Sequence, residues 1–479
     1  MKAIVVFLAL AAVLCGSGCG GDGWIPLFDG ESLDGWKASE NVESFYVKDG
    51  MICCDGDRSH LFYTGEVNGA RFTNFEFKTD VMTRPGANSG IYFHTEFQQT
   101  GWPGKGNEVQ VNNSQQPHGS YYEYRKTGSL YGIRNLYKPV VGDDVWFDVH
   151  VAVRGRNIRV KVNGRLVVDY TKPLDAAAVR GGEGRPPSSG TFAFQCHDPG
   201  SNVFYRNVMV KPLPDAVETP SQPASDPELE ARLGKFHRSN FPLIDFHAHL
   251  KGGLTLEQAM AQAREYGINY GIAVNCGLGF PIQDDDALNE FVAGFDAPEA
   301  FVAMQAEGRE WVDMFSPQSL EKFDYVFTDA MTWTNRNGKR MRLWIEDEVE
   351  IGDPEDFMEQ LVNWIEKILN NEPVDIYVNP TFLPQAIAGD YDVLWTEERM
   401  DRVINVLAAN EIALEINDRY RLPSPGFIKR AKAAGVKFTF GTNNGGAELG
   451  HLSYCLEMIE QCGLTSRDMW MPEKYRPQW

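Results

Sequence analysis

Alternating apolar and polar residues dominate the first half of the chain. A period of two is typical of strands with one buried face, and Asn163-Gly164 is a strong hairpin signal between two such stretches. Helical periodicity is almost absent here, so the pattern predicts an all-β sandwich or jelly roll over 24–213. The predicted strands include 74–82, 89–95, 145–151, 157–162 and 166–168.

The pattern changes after Phe241, where short apolar strands alternate with amphipathic helices. Seven or eight such units predict an α/β barrel of the TIM type over 241–479, with its site at the C-terminal ends of the strands. The intervening residues 214–240 are polar and rich in proline and predict a linker. The expected strands are 243–246, 270–274, 300–304, 325–327, 375–378, 412–416 and 437–440, and the expected helices include 256–266, 356–369, 400–409 and 425–434.

The first residues have the pattern of an export signal. Lys2 precedes an apolar run of about a dozen residues, which is too short to span a bilayer. Small residues then lead to Cys19, as in a lipoprotein signal. We expect residues 1–19 to be a signal peptide and the protein to be exported, either lipid-anchored to a membrane through Cys19 or simply secreted.

The net charge and the cysteines bear on the expected partners and on disulfide formation. A net charge of −21 excludes nucleic acid as an expected partner, because phosphate binding needs a basic surface. Six cysteines follow the signal, and Cys53 and Cys54 are adjacent, which disfavours a disulfide between them. A chain of this size does not need disulfides for stability, so we expect buried free thiols.

The sharpest motif of the second half is Asp245-Phe-His247-Ala-His249, at the end of the first predicted barrel strand. Residues i and i+2 of a strand point to the same face, so the two imidazoles converge where the strand ends. This is the geometry that a divalent metal ion requires of its first two ligands. A pair of hydrogen-bonded loop histidines is the structural alternative.

This stretch resembles the start of the PHP (polymerase and histidinol phosphatase) barrels among the metal-dependent hydrolases. Later strand ends continue the resemblance: Gln305-Ala-Glu307-Gly, Val374-Asp-Ile-Tyr-Val-Asn379-Pro, Leu414-Glu415-Ile-Asn417 and Phe440-Gly-Thr-Asn443-Asn444. The family has histidine or aspartate where this chain has Asn379, Asn443 and Asn444.

Because this chain has asparagines at those positions, the metal site that the resemblance implies has fewer ligands than the site of the family. Only four histidines follow residue 230, and neutral amides are poor ligands for a multi-metal centre. The resemblance therefore implies one divalent ion, zinc or manganese, and no organic cofactor; phosphoesterase activity is not expected. Its ligands would be His247, His249 and Glu307, helped by Asn379 and Asn443, with Lys251 and Arg309 as catalytic candidates at the same mouth.

The first half resembles the 3-keto-disaccharide hydrolase domain family, which has a concanavalin-like jelly roll. The resemblance covers the whole sandwich and begins at Leu27-Phe-Asp-Gly-Glu-Ser-Leu-Asp-Gly-Trp36. It continues through Asn88-Ser-Gly-Ile-Tyr-Phe93, Asn107-Glu108-Val-Gln110-Val111, Gly128-Ser-Leu-Tyr131-Gly132, Val162-Asn-Gly164, Phe194-Gln195-Cys-His197 and Phe204-Tyr-Arg206-Asn207.

Polar residues alternate along two of these strands. Glu108 and Gln110 share one face of a strand, and Gln195 and His197 share one face of another. With Tyr131, Arg206 and the tyrosines at 121, 122 and 124, they could form a polar concave face that stacks on a sugar ring.

The resemblance implies cleavage of 3-keto-glycosides or related oxidised sugars. A C3 ketone acidifies the hydrogen at C2, so a base can start the elimination of the C1 substituent. Glu108 and His197 are both candidates for that base. Two alternatives remain open: a glycan-binding sandwich joined to a metal-dependent hydrolase barrel of another substrate class, or a protein whose two halves only bind.

Overall fold

The computed structural model describes residues 23–173, 189–221 and 227–478. The expected signal peptide and Cys19 lie outside these ranges. Within them, no helix has both the length and the apolar composition needed to cross a membrane.

The first half is a β-sandwich, as its alternating pattern predicts. Its strands are β1 Ile25–Pro26, β2 Trp36–Ala38, β3 Phe45–Lys48, β4 Met51–Cys54, β5 Ser59–Tyr63, β6 Asn74–Thr83, β7 Asn88–Thr95, β8 Asn107–Asn112, β9 Phe147–Arg154, β10 Asn157–Val162, β11 Arg165–Thr171, β12 Thr191–Cys196 and β13 Val203–Leu213.

Two antiparallel sheets face each other across an aromatic core. One sheet has the order β11-β10-β9-β6-β13-β4-β3, with β1 beside β13, and the other has the order β2-β5-β12-β7-β8. Inward residues such as Phe77, Phe192 and Phe194 are fully buried between them. The outer face of the five-stranded sheet therefore carries the alternate residues of β7, β8 and β12.

The predicted linker contains a helix, which the prediction missed because the segment is rich in proline. Helix α1 spans Pro227–Arg238, and its Leu229, Leu233 and Phe236 are buried in the core of the second half. Apolar residues at i, i+4 and i+7 give a one-sided helix, so this part of the boundary is structural rather than extended.

The second half is a closed barrel of seven parallel strands. The strands are β14 Ile244–His249, β15 Asn269–Cys276, β16 Phe301–Ala306, β17 Tyr325–Thr328, β20 Ile376–Tyr377, β21 Ala413–Asn417 and β22 Phe438–Gly441, and a two-stranded excursion adds β18 Thr332–Thr334 and β19 Arg340–Arg342. The α-helices between and after them are α2 Leu256–Tyr266, α3 Asp285–Ala293, α4 Trp311–Met314, α5 Pro317–Leu320, α6 Pro354–Asn371, α7 Tyr391–Leu394, α8 Glu397–Ala409, α9 Pro425–Ala433 and α10 Ser453–Cys462.

Local capping explains why several barrel helices begin where they do. Thr255 and Gln258 form a capping box at the start of α2. Asp353 and Ser424 each cap a helix whose first residue is proline. These side chains accept hydrogen bonds from backbone N–H groups that would otherwise lack partners. Proline is tolerated at the first helical position because the N–H that it lacks would have no partner within the helix.

One segment of the sandwich closes the bottom of the barrel. We call residues 113–138 the bridging segment. Its Tyr137 donates its backbone N–H to Asn269 Oδ1, at 3.0 Å. The Lys138 ammonium bonds Ala300 O at 2.7 Å and Asp324 Oδ2 at 2.8 Å. Asn269, Ala300 and Asp324 lie at the N-terminal ends of barrel strands, opposite the end where a barrel site is expected.

All six cysteines in the described part of the chain are free and buried. The expectation of buried thiols is thus confirmed.

Candidate functional site

A pocket of about 390 Å³ opens on the outer face of the five-stranded sheet. It brings together five of the six sandwich residues predicted from sequence: Glu108, Gln110, Tyr131, Gln195 and His197. The remaining lining residues are Asn88, Trp102, Tyr121 and Glu123. Alternation along β8 and β12 places the polar side chains on one face, as expected.

Glu108 forms part of the buried floor of the pocket. Its Oε1 accepts a hydrogen bond from Gln195 Nε2 at 3.3 Å, and the same amide nitrogen donates to the Tyr92 hydroxyl at 3.0 Å. Gly90, on the neighbouring strand β7, makes room for the carboxylate, because a Cβ at that position would collide with Glu108 Oε1. The floor therefore depends on a glycine beside a buried acid.

Two buried amide oxygens belong to the floor of the pocket. Gln110 donates its Nε2 to Asn88 Oδ1 at 2.6 Å and to Ser89 O at 3.0 Å. Within the described residues, Oε1 of Gln110 and Oε1 of Gln195 accept no hydrogen bond although both are buried. A buried acceptor without a partner costs free energy, which a ligand hydroxyl can recover by donating to it.

His197 stands at the wall of the pocket beside an acid and two aromatic rings. Its Nδ1 lies 2.7 Å from Asp198 Oδ2, and the hydrogen bond to His197 is the main cause that lowers the pKa of Asp198. The ionised Asp198 favours the tautomer with hydrogen on Nδ1, which leaves Nε2 as a base. The His197 ring lies 5.0 Å from Trp102 and 6.3 Å from Tyr121.

A buried ion pair supports the opposite wall. Tyr121 donates its hydroxyl to Glu123 Oε2 at 2.7 Å, and Arg125 Nη1 bonds Glu123 Oε1 at 3.0 Å. The Arg125 guanidinium also lies over the Tyr131 ring, 4.0 Å from its centroid. Its Nη2 donates to the carbonyl of His237 in α1, at 2.7 Å. The pocket wall is thus fastened to the second half of the protein.

Arg206 does not line this pocket, so the structure does not bring it together with the other predicted sandwich residues. It lies on β13 in the other sheet, where its Nε contacts Asp80 Oδ2 at 3.2 Å. Its guanidinium stacks on Trp146 at 3.9 Å. Proximity in a sequence motif misled the prediction, because β13 and β12 are consecutive strands of opposite sheets.

A second pocket of about 350 Å³ lies at the mouth of the barrel. Strand ends supply Gln305, Glu307, Asp329, Asn379 and Asn443, and Lys251 lines it as predicted. Its other lining residues are Asn275, Phe280, Pro281, Met331, Trp344, Arg419 and Tyr420. Polar side chains from the C-terminal ends of several strands therefore lie together here, as the barrel architecture predicts.

His247 and His249 lie beneath this pocket with one ring nitrogen each engaged. His247 Nδ1 is 2.6 Å from Glu415 Oε1, and His249 Nδ1 is 3.0 Å from Ala273 O. The two rings are 5.2 Å apart and nearly perpendicular. Gly441 permits the His247–Glu415 contact, since a Cβ there would overlap the Glu415 carboxylate. The second ring nitrogens, both Nε2, have no hydrogen-bond partner of ordinary geometry in the described residues.

The other predicted ligands are engaged with protein groups. Asn275 donates to Glu307 Oε1 at 2.7 Å, and burial together with the charge of Asp329 raises the pKa of Glu307 to about 8. Asn379 donates to Asp329 Oδ2 at 2.9 Å and accepts from Asn443 Nδ2 at 3.0 Å.

These residues do not fit the metal site that the resemblance implies. In the described ranges, no three His, Cys, Asp or Glu side chains are grouped so that they could hold a metal ion. Asn379 and Asn443 have left-handed backbone conformations, with φ of 46° and 43°, which asparagine tolerates better than most residues. Backbone geometry thus accounts for these asparagines without metal ligation.

Arg309 does not line the pocket at the barrel mouth, so the structure does not bring it together with Lys251. Its Nη1 bonds both carboxylate oxygens of Glu372, at 2.9 and 3.0 Å. Its Nη2 bonds Thr328 Oγ1 at 2.9 Å. Trp311 Nε1 donates to the same Glu372 carboxylate, at 2.7 Å. Arg309 therefore links the segment after β16 to Glu372, which follows α6.

Sequence patterns gave no signal for several lining residues of both pockets. Trp102 lies in an irregular loop without periodicity, and Asp198 was not distinguished from neighbouring polar residues. Arg419 and Trp344 lie on loops of the barrel. Only Arg419 had a usable signal, because it comes two residues after the predicted strand end at Asn417.

A polar floor between aromatic rings on an antiparallel sandwich is suited to a carbohydrate ligand. Residues 23–211 match the family model of the 3-keto-alpha-glucoside-1,2-lyase-like domain. The 3-keto-disaccharide hydrolase-like character expected of this half is confirmed, and the match supports a carbohydrate-related activity.

Solved structures are similar to the same part of the chain. A proposed glycosyl hydrolase from Parabacteroides distasonis ATCC 8503 is 21% identical, with 40% of this chain and 94% of that chain covered and a TM-score of 0.35. A second from the same organism is 23% identical, with 40% and 99% covered and a TM-score of 0.31. The carbohydrate-binding module CBM66 from Bacillus subtilis is 14% identical, with 40% and 95% covered and a TM-score of 0.24. No curated protein sequence matches the chain.

Proposed function

We propose that the sandwich pocket cleaves 3-keto-glycosides by elimination. The observation that carries this proposal is the joint presence of a buried carboxylate, an aspartate-paired histidine and unpartnered amide oxygens in one pocket with aromatic walls. Trp102 and Tyr121 provide faces for the C–H surface of a sugar ring, and the floor provides acceptors for its hydroxyls.

His197 is the proposed base. Its Nε2 removes the proton at C2 of the 3-keto sugar, and the C–H electrons form a C2–C3 enolate with the charge on the C3 oxygen. The enolate then reforms the ketone as a C1–C2 double bond forms and the C1–O bond breaks, which releases the aglycone as an alcohol after protonation. Water adds to the unsaturated ketone to give the free 3-keto sugar.

Glu108 and the two glutamines orient the sugar in this proposal. The Gln110 and Gln195 oxygens accept hydroxyl hydrogens, and Glu108 holds the Gln195 amide in place. Asp198 stabilises the imidazolium that forms when His197 takes the proton.

The test is turnover of a 3-keto-disaccharide by the full chain and its variants. His197→Gln should lower kcat by about a hundredfold or more, since a positioned base contributes that much. Asp198→Asn should lower kcat less, because it disturbs only the orientation of the base. Arg206→Gln, which changes a polar residue of the same domain outside the pocket, should leave turnover unchanged.

Equal turnover by His197→Gln and the unmodified chain would refute the role of the histidine. If Glu108→Gln alone abolished turnover while His197→Gln did not, the carboxylate would be the base instead.

We also propose that the protein is exported and carries a lipid on Cys19. The apolar run and the small residues before Cys19 support this proposal. Cys19→Ser expressed in a bacterial host should lose incorporation of labelled fatty acid and move from the membrane to the soluble fraction. Equal labelling of the variant would contradict lipidation at this cysteine.

A further inference from the structure

The mouth of the barrel carries recognition groups that the sandwich chemistry does not use. The two pockets share no lining residue. The bridging segment covers the N-terminal ends of the barrel strands, whereas the second pocket is at their C-terminal ends. The two cavities are therefore separate from each other.

Two cationic side chains, Lys251 and Arg419, line this pocket. In the described residues, the Lys251 ammonium forms no hydrogen bond or salt bridge, although it is close enough to Glu307 and Arg419 for their charges to act on it. Arg419 donates one Nη1 hydrogen bond to Asn443 O at 3.1 Å, which leaves other guanidinium hydrogens available. At the rim, Lys251 is half-buried and Arg419 is exposed.

The two carboxylates of the pocket are already satisfied. Glu307 accepts from Asn275 at 2.7 Å. Asp329 accepts from the Met331 N–H and from Asn379, both at 2.9 Å. Asp329 lies at the same mouth as the two cations and repels further negative charge, which favours a ligand with a single negative charge over a phosphate dianion.

The interior of the pocket is suited to hydroxyl groups. Gln305 lines the pocket and is 5% exposed. Its side chain interacts with the His249 ring beneath the pocket, and its Oε1 has no hydrogen-bond partner of ordinary geometry in the described residues. Trp344, Phe280 and Tyr420 add aromatic surface, and the Trp344 side chain is 40% exposed. A cationic rim, a buried acceptor and aromatic walls together recognise an anionic group joined to a hydroxylated carbon skeleton.

We propose that the barrel mouth is a metal-independent binding site for a carboxylated sugar. The carboxylate is held by Lys251 and Arg419, and a hydroxyl at the other end donates to Gln305. The absence of a three-ligand group among the described residues is consistent with this site and gives the ion no role in it.

Isothermal titration of the metal-free full chain, in the presence of EDTA, tests the proposal. Glucuronate and gluconate present the carboxylate on a ring and on an open chain, and glucose is the neutral control. At least one acid should bind, and glucose should bind at least about tenfold more weakly, as expected for loss of a charge-assisted contact. Lys251→Met and Arg419→Met should each weaken binding of that acid by about tenfold, with Lys429→Met, on the outer helix α9, as the matched control.

A measurement on the unmodified chain guards against variants that fold poorly. Raising the salt concentration should weaken binding of the acid, since both cations lie at the partly exposed rim. The Glu108→Gln variant should bind the acid as tightly as the unmodified chain, because its change lies in the other pocket. The proposal is overturned by absence of binding of both acids, by equal binding of glucose, by tighter binding of glucose 6-phosphate, or by binding that needs an added divalent metal.

Discussion

Gly90 is the residue against which the Glu108 carboxylate packs in the sandwich pocket. Gly90→Ala would place a methyl group where Glu108 Oε1 now lies, and forced overpacking of this kind costs about 1–3 kcal/mol. We expect the variant to fold with a lower Tm and to lose most turnover of a 3-keto-disaccharide through displacement of the acid. Both quantities can be measured on the same preparation.

The matched control is Gly142→Ala, because a Cβ at Gly142 meets no atom within 4 Å. Shortening the acid should relieve the collision, so Gly90→Ala with Glu108→Asp should recover part of the lost stability. Full turnover by Gly90→Ala would show that the position of Glu108 is unimportant.

Glu307 makes the stability of the barrel depend on pH. Its pKa is raised from an ordinary 4.5 to about 8 by burial and by Asp329, so between these values the folded state holds a proton that the unfolded state has released. The free energy of unfolding therefore falls as pH rises through this range, by at most about 1.4 kcal/mol per pH unit. Glu307→Gln should reduce this loss.

Urea unfolding at pH 5 and pH 8 measures the difference. Glu448→Gln, which removes an exposed carboxylate of the same half, is the control and should leave the pH dependence as it is in the unmodified chain. The interpretation fails if Glu307→Gln and the unmodified chain lose the same free energy between the two pH values.

Side chains that alternate on regular strands could be predicted from sequence, and the others could not. Glu108, Gln110 and Gln195 lie in the pocket because a strand repeats every two residues. Arg206 obeys the same rule on its own strand, but the rule does not say to which sheet a strand belongs. Trp102 and Asp198, the partner of His197, lie on irregular backbone, where no regular repeat predicts the direction of a side chain.

At the scale of elements, the bridging segment has two faces with different tasks. Tyr121 and Glu123 face the pocket, while Tyr122 and Tyr124 are buried in the hydrophobic cluster of the barrel. Arg125 joins the two sides by bonding Glu123 and the carbonyl oxygen of His237. The segment therefore transmits the position of α1 to the wall of the pocket.

Arg125→Met should leave Glu123 as a buried charge without its partner. Breaking such a pair costs about 3–5 kcal/mol, and loosening of Tyr121 and Tyr131 should raise KM more than it lowers kcat. Thermal unfolding and steady-state kinetics measure both effects. The double variant Glu123→Gln with Arg125→Met should recover stability but not KM.

Arg84→Met is the control for that experiment. It removes an exposed ion pair with Asp144, which is worth about 1 kcal/mol or less, and a contact with the Phe204 ring 5.5 Å away. A KM for Arg125→Met that equals the KM of Arg84→Met would mean that the bridging segment does not position the pocket.

At the scale of the whole molecule, the boundary between the halves is a shared core. The barrel cluster includes Tyr122, Tyr124 and Tyr137 of the sandwich as well as Leu229 and Leu233 of α1. A fragment ending at residue 213 would expose the three tyrosines and leave Arg125 without its carbonyl partner. We expect this fragment to unfold at a lower temperature than the full chain and to bind its substrate more weakly.

Calorimetry of the fragment and of the full chain, with turnover of a 3-keto-disaccharide by each, measures this dependence. The same Tm and KM in both proteins would show that the sandwich is self-sufficient.

The sequence predicted two separate domains joined by a linker, and the sandwich and the seven-stranded barrel confirm the order of the architectures. The shared boundary could not be predicted, because Tyr122 and Tyr124 look like candidate sugar-stacking residues in the sequence. Which neighbour an aromatic residue packs against is decided by tertiary structure, and no local period reports it.

The bridging segment, with its tyrosines packed at the N-terminal ends of the barrel strands, also limits how either half can be combined with a domain of another protein. A sandwich taken from another protein would need its own matching segment to cover the open strand ends of this barrel. Grafting either half alone should leave an uncovered apolar surface, which promotes aggregation. The natural unit for exchange between proteins is therefore the sandwich and barrel together.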